Sequence, residues 1–385
     1  ERVEIERVAE EPERLGQPRR DRERRTVGST GEPAKTDRHH PWKVPSRRDA
    51  GAEAMSLVRM RLPDVAEELG FGSRREELSV THQVAVLAVD LTAPHRAPLD
   101  PERFADALGE LTTVTVGLRA DPHDVDVERY ADAFDVTLPA GDDDALDGLV
   151  DAVTRAPLAA VTLALLLRAS ERRSITDGLV AESMAYSLLQ AGPEFLAWRR
   201  SRPVRDRPPE IGPAVLSERI DDLLHVTLAR PHVHNAFSVR LRDGLVHALD
   251  VAIADPSIDR IVIDGSGPSF CSGGDLDEFG TFPDPAESHV VRLTRHAGRS
   301  ISRIADRTEV RVHGATMGSG IELAAFAGRV VAAPDTVIAL PEVALGLVPG
   351  AGGTVSLPRR IGRQRTALLA LGGERVDATT APAWG

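Results

Sequence analysis

The 385-residue chain is poor in several residue types that would mark common functions. It has one cysteine, Cys271, so no intrachain disulfide can form, which fits a reducing compartment. Aromatic residues make up 4%, few for the stacking platforms of a nucleic-acid binder. The net charge of −12 argues the same way, because a phosphate-backbone binder presents a basic face. No apolar run reaches the roughly 18–20 residues that span a bilayer, and the start is too charged for a secretory signal. The expectation is a cytoplasmic chain with no nucleic-acid or membrane partner. What is present is apolar content, 42%, sufficient for a large core. Residue 1 is Glu rather than Met, and Gly385 closes the sequence just after a helix-like start. Both read as a fragment or a shifted reading frame, with Met55 as the candidate start.

Composition divides the chain. Residues 1–54 carry dense charge of both signs with no apolar period, so they cannot bury enough surface to offset their ordering entropy and are expected to be disordered. His39 and His40, adjacent in that tail, are given no metal role. Residues 56–205 form a second block. The β-branched stretches 83–90, 113–118 and 134–138 read as short strands. The acidic triplet Asp142-Asp143-Asp144 reads as a turn ending in a helix N-cap rather than a metal site. Residues 145–199 read as helical. The stretch 157–167 is apolar all round and expected to be buried, and Met184 and Tyr186 read as packing residues. Pro203, Pro208, Pro209 and Pro213 mark 201–213 as a linker. From about 215 strands and helices alternate: strands at 223–228, 259–264, 309–313, 329–332 and 337–340, helices at 238–254, 285–305 and 319–327. That alternation implies an α/β domain.

Three motifs lie in this second half. Pro268 to Leu276 contains Gly273-Gly274 after a buried-type strand, where backbone can approach a ligand and expose N–H groups. Its ordinary explanation is a strand-to-helix turn, and Cys271 within it is a small packing residue rather than a nucleophile. Gly318-Ser319-Gly320 opens a helix, where free N–H groups would stabilise an oxyanion by about 3–4 kcal/mol each in a transition state. Glu322 falls in the first turn of that helix, which alone is explained by the helix dipole. The third motif runs from Pro341-Glu342 to Gly350-Ala351-Gly352-Gly353; no Lys follows, so it is not a P-loop, and alone it reads as a structural loop. Two carboxyl groups presented by such loops can serve as acid and base on either side of a substrate.

In this order the motifs resemble those of the enoyl-CoA hydratase/isomerase (crotonase) superfamily. The resemblance covers 215–385 and rests on Arg230-Pro231, Asn235-Ala236, Phe270 to Leu276, Gly318 to Leu323, and Pro341-Glu342 with Gly346, Pro349 and 350–353. It implies a crotonase-like spiral of ββα units over 206–385 that binds acyl-CoA. It implies an oxyanion hole from the N–H groups of Gly274 and Ser319, the second usually Gly in the family. It implies that Glu322 is the base towards a water and Glu342 exchanges the proton at the α-carbon. Phe270 and Ser272 match the stretch along the CoA adenine. Gly273, Asp275 and Gly320 join them as substrate-binding positions, and Gly350, Ala351 and Gly352 match the wall below Glu342. No metal and no separate cofactor are implied, coenzyme A being part of the substrate, and the expected assembly is a homo-oligomer, a trimer or dimer of trimers.

The resemblance also implies helices beyond residue 385 that cover the site, and without them the pocket lacks part of its cover. Residues 56–205 are expected to be either a divergent, catalytically silent half of the same fold or an unrelated α/β extension; 84–91 with Ala93-Pro94-His95 parallels 223–228 with Arg230-Pro231-His232, and the helical stretch ending at Trp198 is similar to the family's C-terminal helices. Such a block would pack on the second half or stand in for its missing helices. The leading reading is a hydratase or dehydratase, because both glutamates are kept. An isomerase, a thioester hydrolase, a cofactor-free oxygenase and a non-catalytic acyl-CoA scaffold stay open. A glycosidase, which also uses paired carboxyls, is set aside for want of aromatics near the motifs.

Overall fold

In the computed structural model the described residues are 55–71, 75–92, 100–120, 129–203, 205, 210–282 and 284–385. The tail 1–54 with its two histidines, the Ala93-Pro94-His95 turn and the middle of the linker lie outside them.

The first block builds a four-stranded, all-parallel sheet in the order β1 (Ser56–Arg61), β2 (Val84–Asp90), β3 (Val114–Arg119), β4 (Val136–Pro139). β2 reads VAVLAVD and is buried nearly throughout, as a strand covered on both faces requires. Helices α1 (Leu62–Phe71) and α2 (Pro101–Gly109) serve this sheet. Four helices follow: α3 (Asp143–Arg155), α4 (Pro157–Arg168), α5 (Ile175–Gln190) and α6 (Pro193–Ser201). Their starts are set locally. Asp142 accepts from the Ala145 N–H at 3.1 Å, which is the cap expected of the acidic triplet. Pro157 and Pro193 stand in the first turns of α4 and α6, and the Glu194 carboxylate closes the α4 start by accepting from Leu158 and Ala159. α4 is less enclosed than its composition implies, since Leu158 and Leu165 face outward.

The second half opens with an antiparallel hairpin, β5 (Val215–Ile220) and β6 (Leu223–Leu228). Helix α7 (Val239–Ala254), capped by Ser238, then leads to β7 (Arg260–Gly265). After α8 (Pro285–Thr294) and α9 (Ala297–Arg303) comes β8 (Thr308–Val312), then β9 (Ala315–Met317), α10 (Ser319–Ala324), β10 (Arg329–Ala332) and β11 (Val337–Ala339). The expected single helix over 285–305 is two, because His296 turns its Nδ1 to the Arg299 N–H and caps the second. The main sheet runs β10-β8-β7-β6-β5, parallel except at the β5–β6 edge. A smaller sheet, β12-β11-β9, adds β12 (Val376–Asp377) after α11 (Gly353–Ile361) and α12 (Arg363–Gly372); α13 (Ala381–Trp384) follows. The first block departs from this plan at its edge, where β1 joins β2 in parallel through a helix rather than as a hairpin.

One apolar core runs through both blocks, from Val86 and Leu163 to Leu241, Val348 and Leu369. Polar ties reinforce it. Arg363 Nη1 donates to the Phe134 carbonyl at 3.0 Å, and Gln364 Nε2 donates to the Ala131 carbonyl at 2.8 Å. α5 lies against α8 and α11, and α6 against the 3-10 turn Glu342–Leu345. Helices that precede the site in sequence therefore pack on the elements that build it. Among the described residues no single helix is long and apolar enough to cross a bilayer.

Candidate active site

Residues 271–274 run beside β9. The Cys271 N–H donates to the Ala315 carbonyl at 3.1 Å, and the Met317 N–H to the Cys271 carbonyl at 2.9 Å. The chain then reverses at Gly318, with φ +48° and ψ −123°, and enters α10 at Ser319. This placement leaves the N–H groups of Gly274 and Ser319 without an acceptor among the described residues. They are neighbours, for a Cβ built on Gly274 would stand 3.8 Å from Ser319 Oγ. Two unspent donors side by side are what stabilisation of a developing oxyanion needs. The Phe279 ring covers Gly274, with its edge 2.5 Å from the position a Cβ would take.

Glu342 follows the end of β11 and is buried. Its Oε1 occupies the space where any side chain on Gly318 would begin, which brings the carboxyl beside the start of α10. Its Oε2 is buried with no hydrogen-bond partner among the described residues. Burial first, and then the charge of Glu322, push its pKa well above the ordinary carboxylate range. The missing partner and the desolvation both favour the protonated form of this carboxyl.

Glu322 is buried in α10, but its carboxylate does not serve its own helix. Oε2 accepts from the N–H groups of Ala351 at 2.7 Å and Gly353 at 2.8 Å. Oε1 accepts no hydrogen bond among the described residues. Desolvation raises its pKa to about 7 against these two amides, which lower it. The intervening amides belong to a third carboxylate. Glu182, on α5, takes the Gly352 N–H at 2.7 Å on Oε1, and the Thr354 N–H at 2.8 Å and Thr354 Oγ1 at 2.7 Å on Oε2. Four consecutive N–H groups at the start of α11 are thus divided alternately between Glu322 and Glu182. Burial, and then repulsion from Glu322, raise the Glu182 pKa to about 8.

The packing continues along α5. The Tyr186 ring lies on Gly350, 2.5 Å from where a Cβ would stand, and Arg292 of α8 stacks over it at 4.5 Å. Arg292 Nη1 also donates to Ser183 Oγ at 2.8 Å and Ser187 Oγ at 3.2 Å. Phe279, Trp198 and Phe195 extend the aromatic surface from Tyr186. Tyr186 is therefore part of the wall of the site, whereas Met184, expected to pack, faces outward.

The structure brings together Gly274, Ser319, Glu322 and Glu342. The other expected positions build this arrangement more than they line it. Asp275 forms an ion pair with buried Arg230 at 3.1 Å, and the Phe270 ring is turned into the core. Gly273 gives its carbonyl to the Phe237 N–H, and Gly320 packs on Cys271. Gly350 is covered by Tyr186, while the amides of Ala351 and Gly352 are taken by Glu322 and Glu182. Ser272 alone of that set is exposed. Cys271 is buried and its thiol is pushed up to about 12 by desolvation, consistent with a packing role. Glu182 was missed. Its signal in the sequence is a carboxylate one turn from Tyr186 within an apolar helix, a position that demands buried donors. Among the described residues no group of three or more His, Cys, Asp or Glu could hold a metal ion.

The family model for enoyl-CoA hydratase/isomerase matches residues 218–385. The chain is 33% identical over 174 residues to the enoyl-CoA isomerase/hydratase fer4 of Mycosarcoma maydis, covering 43% of this chain and 64% of that one. It is 32% identical over 176 residues to the 1,2-epoxyphenylacetyl-CoA isomerase of Escherichia coli (strain K12), covering 44% of this chain and 67% of that one. Among solved structures it is 34% identical to the enoyl-CoA hydratase from Thermoplasma volcanium GSS1, covering 45% of this chain and 70% of that one, with a TM-score of 0.41. The chain thus spans between 53% and 67% of the length of the curated relatives it matches.

Proposed function

Because this chain belongs to the enoyl-CoA hydratase/isomerase family, we propose that its second half, packed against α5 and α6, adds water to the double bond of an enoyl-CoA thioester. The observation that carries the reading is the unequal setting of two buried carboxyls beside two free N–H groups: Oε2 of Glu342 is buried without a partner, which favours its protonated form, while Glu322 is held by two amides with Oε1 unspent. The thioester oxygen would accept from the N–H groups of Gly274 and Ser319. Glu322 takes a proton from a water whose oxygen bonds to the β-carbon. The π electrons move towards the thioester and the resulting enolate charge rests in the oxyanion hole. Glu342 then gives its proton to the α-carbon, and the proton held by Glu322 returns to Glu342 through solvent, restoring both groups. Dehydration is the same path reversed. Acyl-CoA is the substrate in this reading and no separate cofactor takes part.

A second reading rests on one observation: Oε2 of Glu322 already serves two amides of the glycine loop. If that is its whole duty, Glu342 alone carries a proton between the α- and γ-carbons and the enzyme is an isomerase. Loss of the conjugated thioester absorbance with crotonyl-CoA and longer enoyl-CoAs decides between them. Hydration that disappears in both Glu322→Gln and Glu342→Gln supports the first reading. Positional isomerisation that survives Glu322→Gln but not Glu342→Gln supports the second. Acyl-CoA binding without turnover on any of these substrates defeats both.

A further inference from the structure

The segment matched by the family model begins at residue 218, yet a third carboxylate reaches the glycine loop from residue 182. Glu182 is 1% exposed, and all three of its hydrogen bonds cross to the second half. Its helix is fixed on both sides. Ser183 receives Arg292 Nη1 and shares a hydrogen bond with His289 Nδ1, both on α8, while the Tyr186 ring lies on Gly350. A peptide unit has one N–H, and it points one way. With Glu322 holding the amides of Ala351 and Gly353, the buried amides of Gly352 and Thr354 find their acceptor in Glu182 and would be left unpaired without it.

We propose that Glu182 is a positioning residue for Glu322: by taking the alternate amides of residues 351–354 it fixes the turn that holds Oε2 of Glu322, and so aims Oε1 at the reacting water. The inference rests on the hydratase reading for its consequence in catalysis, but not for its structural part. Two carboxylates on one buried turn also repel each other, so neither ionises independently. Glu342, Arg292, Tyr186 and Cys271 are further charged or titratable groups facing this set.

Two measurements on the full chain test it. The first is the pH dependence of kcat/KM for enoyl-CoA hydration in wild type and Glu182→Gln. Gln satisfies one side of the turn and presents an NH2 to the other. The expected result is a fall in kcat of about tenfold or more with KM little changed, and an acid limb moved to higher pH, because the Ala351 and Gly353 amides that lower the Glu322 pKa lose their fixed geometry. A role confined to packing would lower the rate without moving the limb. The second needs no activity: amide 1H–15N resonances of residues 351–354, assigned with Glu322→Gln. In Glu182→Gln the signals of Ala351 and Gly353, which Glu182 does not touch, are expected to move with those of Gly352 and Thr354. Resonances of Ala351 and Gly353 that stay in place, or an unmoved acid limb with wild-type kcat, overturn the proposal. Should Glu182→Gln not fold, Thr354→Ala removes one donor from Glu182 and is read the same way, with smaller shifts. If wild type turns over no enoyl-CoA the hydratase reading fails alone, and the amide signals still decide the role of Glu182.

Discussion

Oε1 of Glu342 fills the space beside the Gly318 Cα, where any other residue would place a Cβ. Gly318 is thus constrained twice, by this contact and by a backbone conformation, φ +48° and ψ −123°, that L side chains rarely adopt. Gly318→Ala is expected to cost about 1–3 kcal/mol in backbone strain and to push the Glu342 carboxyl away from the start of α10. On the proposed role of Glu342 as proton donor, a displacement near 1 Å lowers turnover by about 100-fold. Urea denaturation with enoyl-CoA kinetics checks both parts, and a variant with wild-type turnover would show that Glu342 does not need this contact.

Arg292 joins two helices through one guanidinium. It stacks over the Tyr186 ring and hydrogen-bonds both Ser183 and Ser187, and desolvation lowers its pKa. Lys can supply the charge but neither the planar stack nor the fork. Arg292→Lys is expected to lose about 1 kcal/mol of stability, and Arg292→Ala more. Because Tyr186 and Glu182 sit on the helix that Arg292 holds, turnover should fall with stability. Equal denaturation midpoints for wild type and Arg292→Lys would place the anchoring of α5 elsewhere, in the packing of Leu179 and Phe195.

How far this arrangement is legible in the sequence depends on the distance between partners. Gly274, Ser319, Glu322 and Glu342 stand in short motifs whose glycines announce close backbone approach, and the alternation of strands and helices from 215 onward announces the sheet. The duty of Glu322 does not follow from its motif. The helix-dipole reading placed its charge at the start of its own helix, whereas it lies at the start of α11. Glu182 was less accessible still, since the Gly352 amide it holds is 170 positions away, and no local pattern distinguishes a carboxylate with distant donors from one facing water. The break between α8 and α9 was hidden for a related reason: His296 is an uncommon cap, and apolar spacing alone continues through it. α11 and α12 are not legible in the sequence, because the glycine loop before them and Gly362 between them obscure the helical period.

The three buried glutamates should make stability fall as pH rises through neutrality. Each is held above the ordinary carboxylate value of 4.5, Glu322 to about 7 and Glu182 to about 8, chiefly by desolvation. Above pH 4.5 the unfolded chain has released these protons and the folded chain has not, so the native state binds more of them and stability declines with pH until the folded groups also ionise. Glu342 contributes with the same sign. His296 opposes this at lower pH. Burial lowers it to about 4, so the unfolded chain protonates first and stability is lost as pH falls below 6.5. Above pH 7 that opposition is spent, and towards pH 9 the buried Cys271 thiol, pushed up to about 12, adds to the glutamates with the same sign. Urea denaturation should therefore show a loss of about 1–3 kcal/mol between pH 7 and pH 9, and Glu182→Gln should flatten the slope by removing the group that titrates near 8. A wild-type profile that is level or rising over this interval would mean that the glutamates are already ionised at pH 7, with their charge carried by the amides of residues 351–354 rather than by a retained proton.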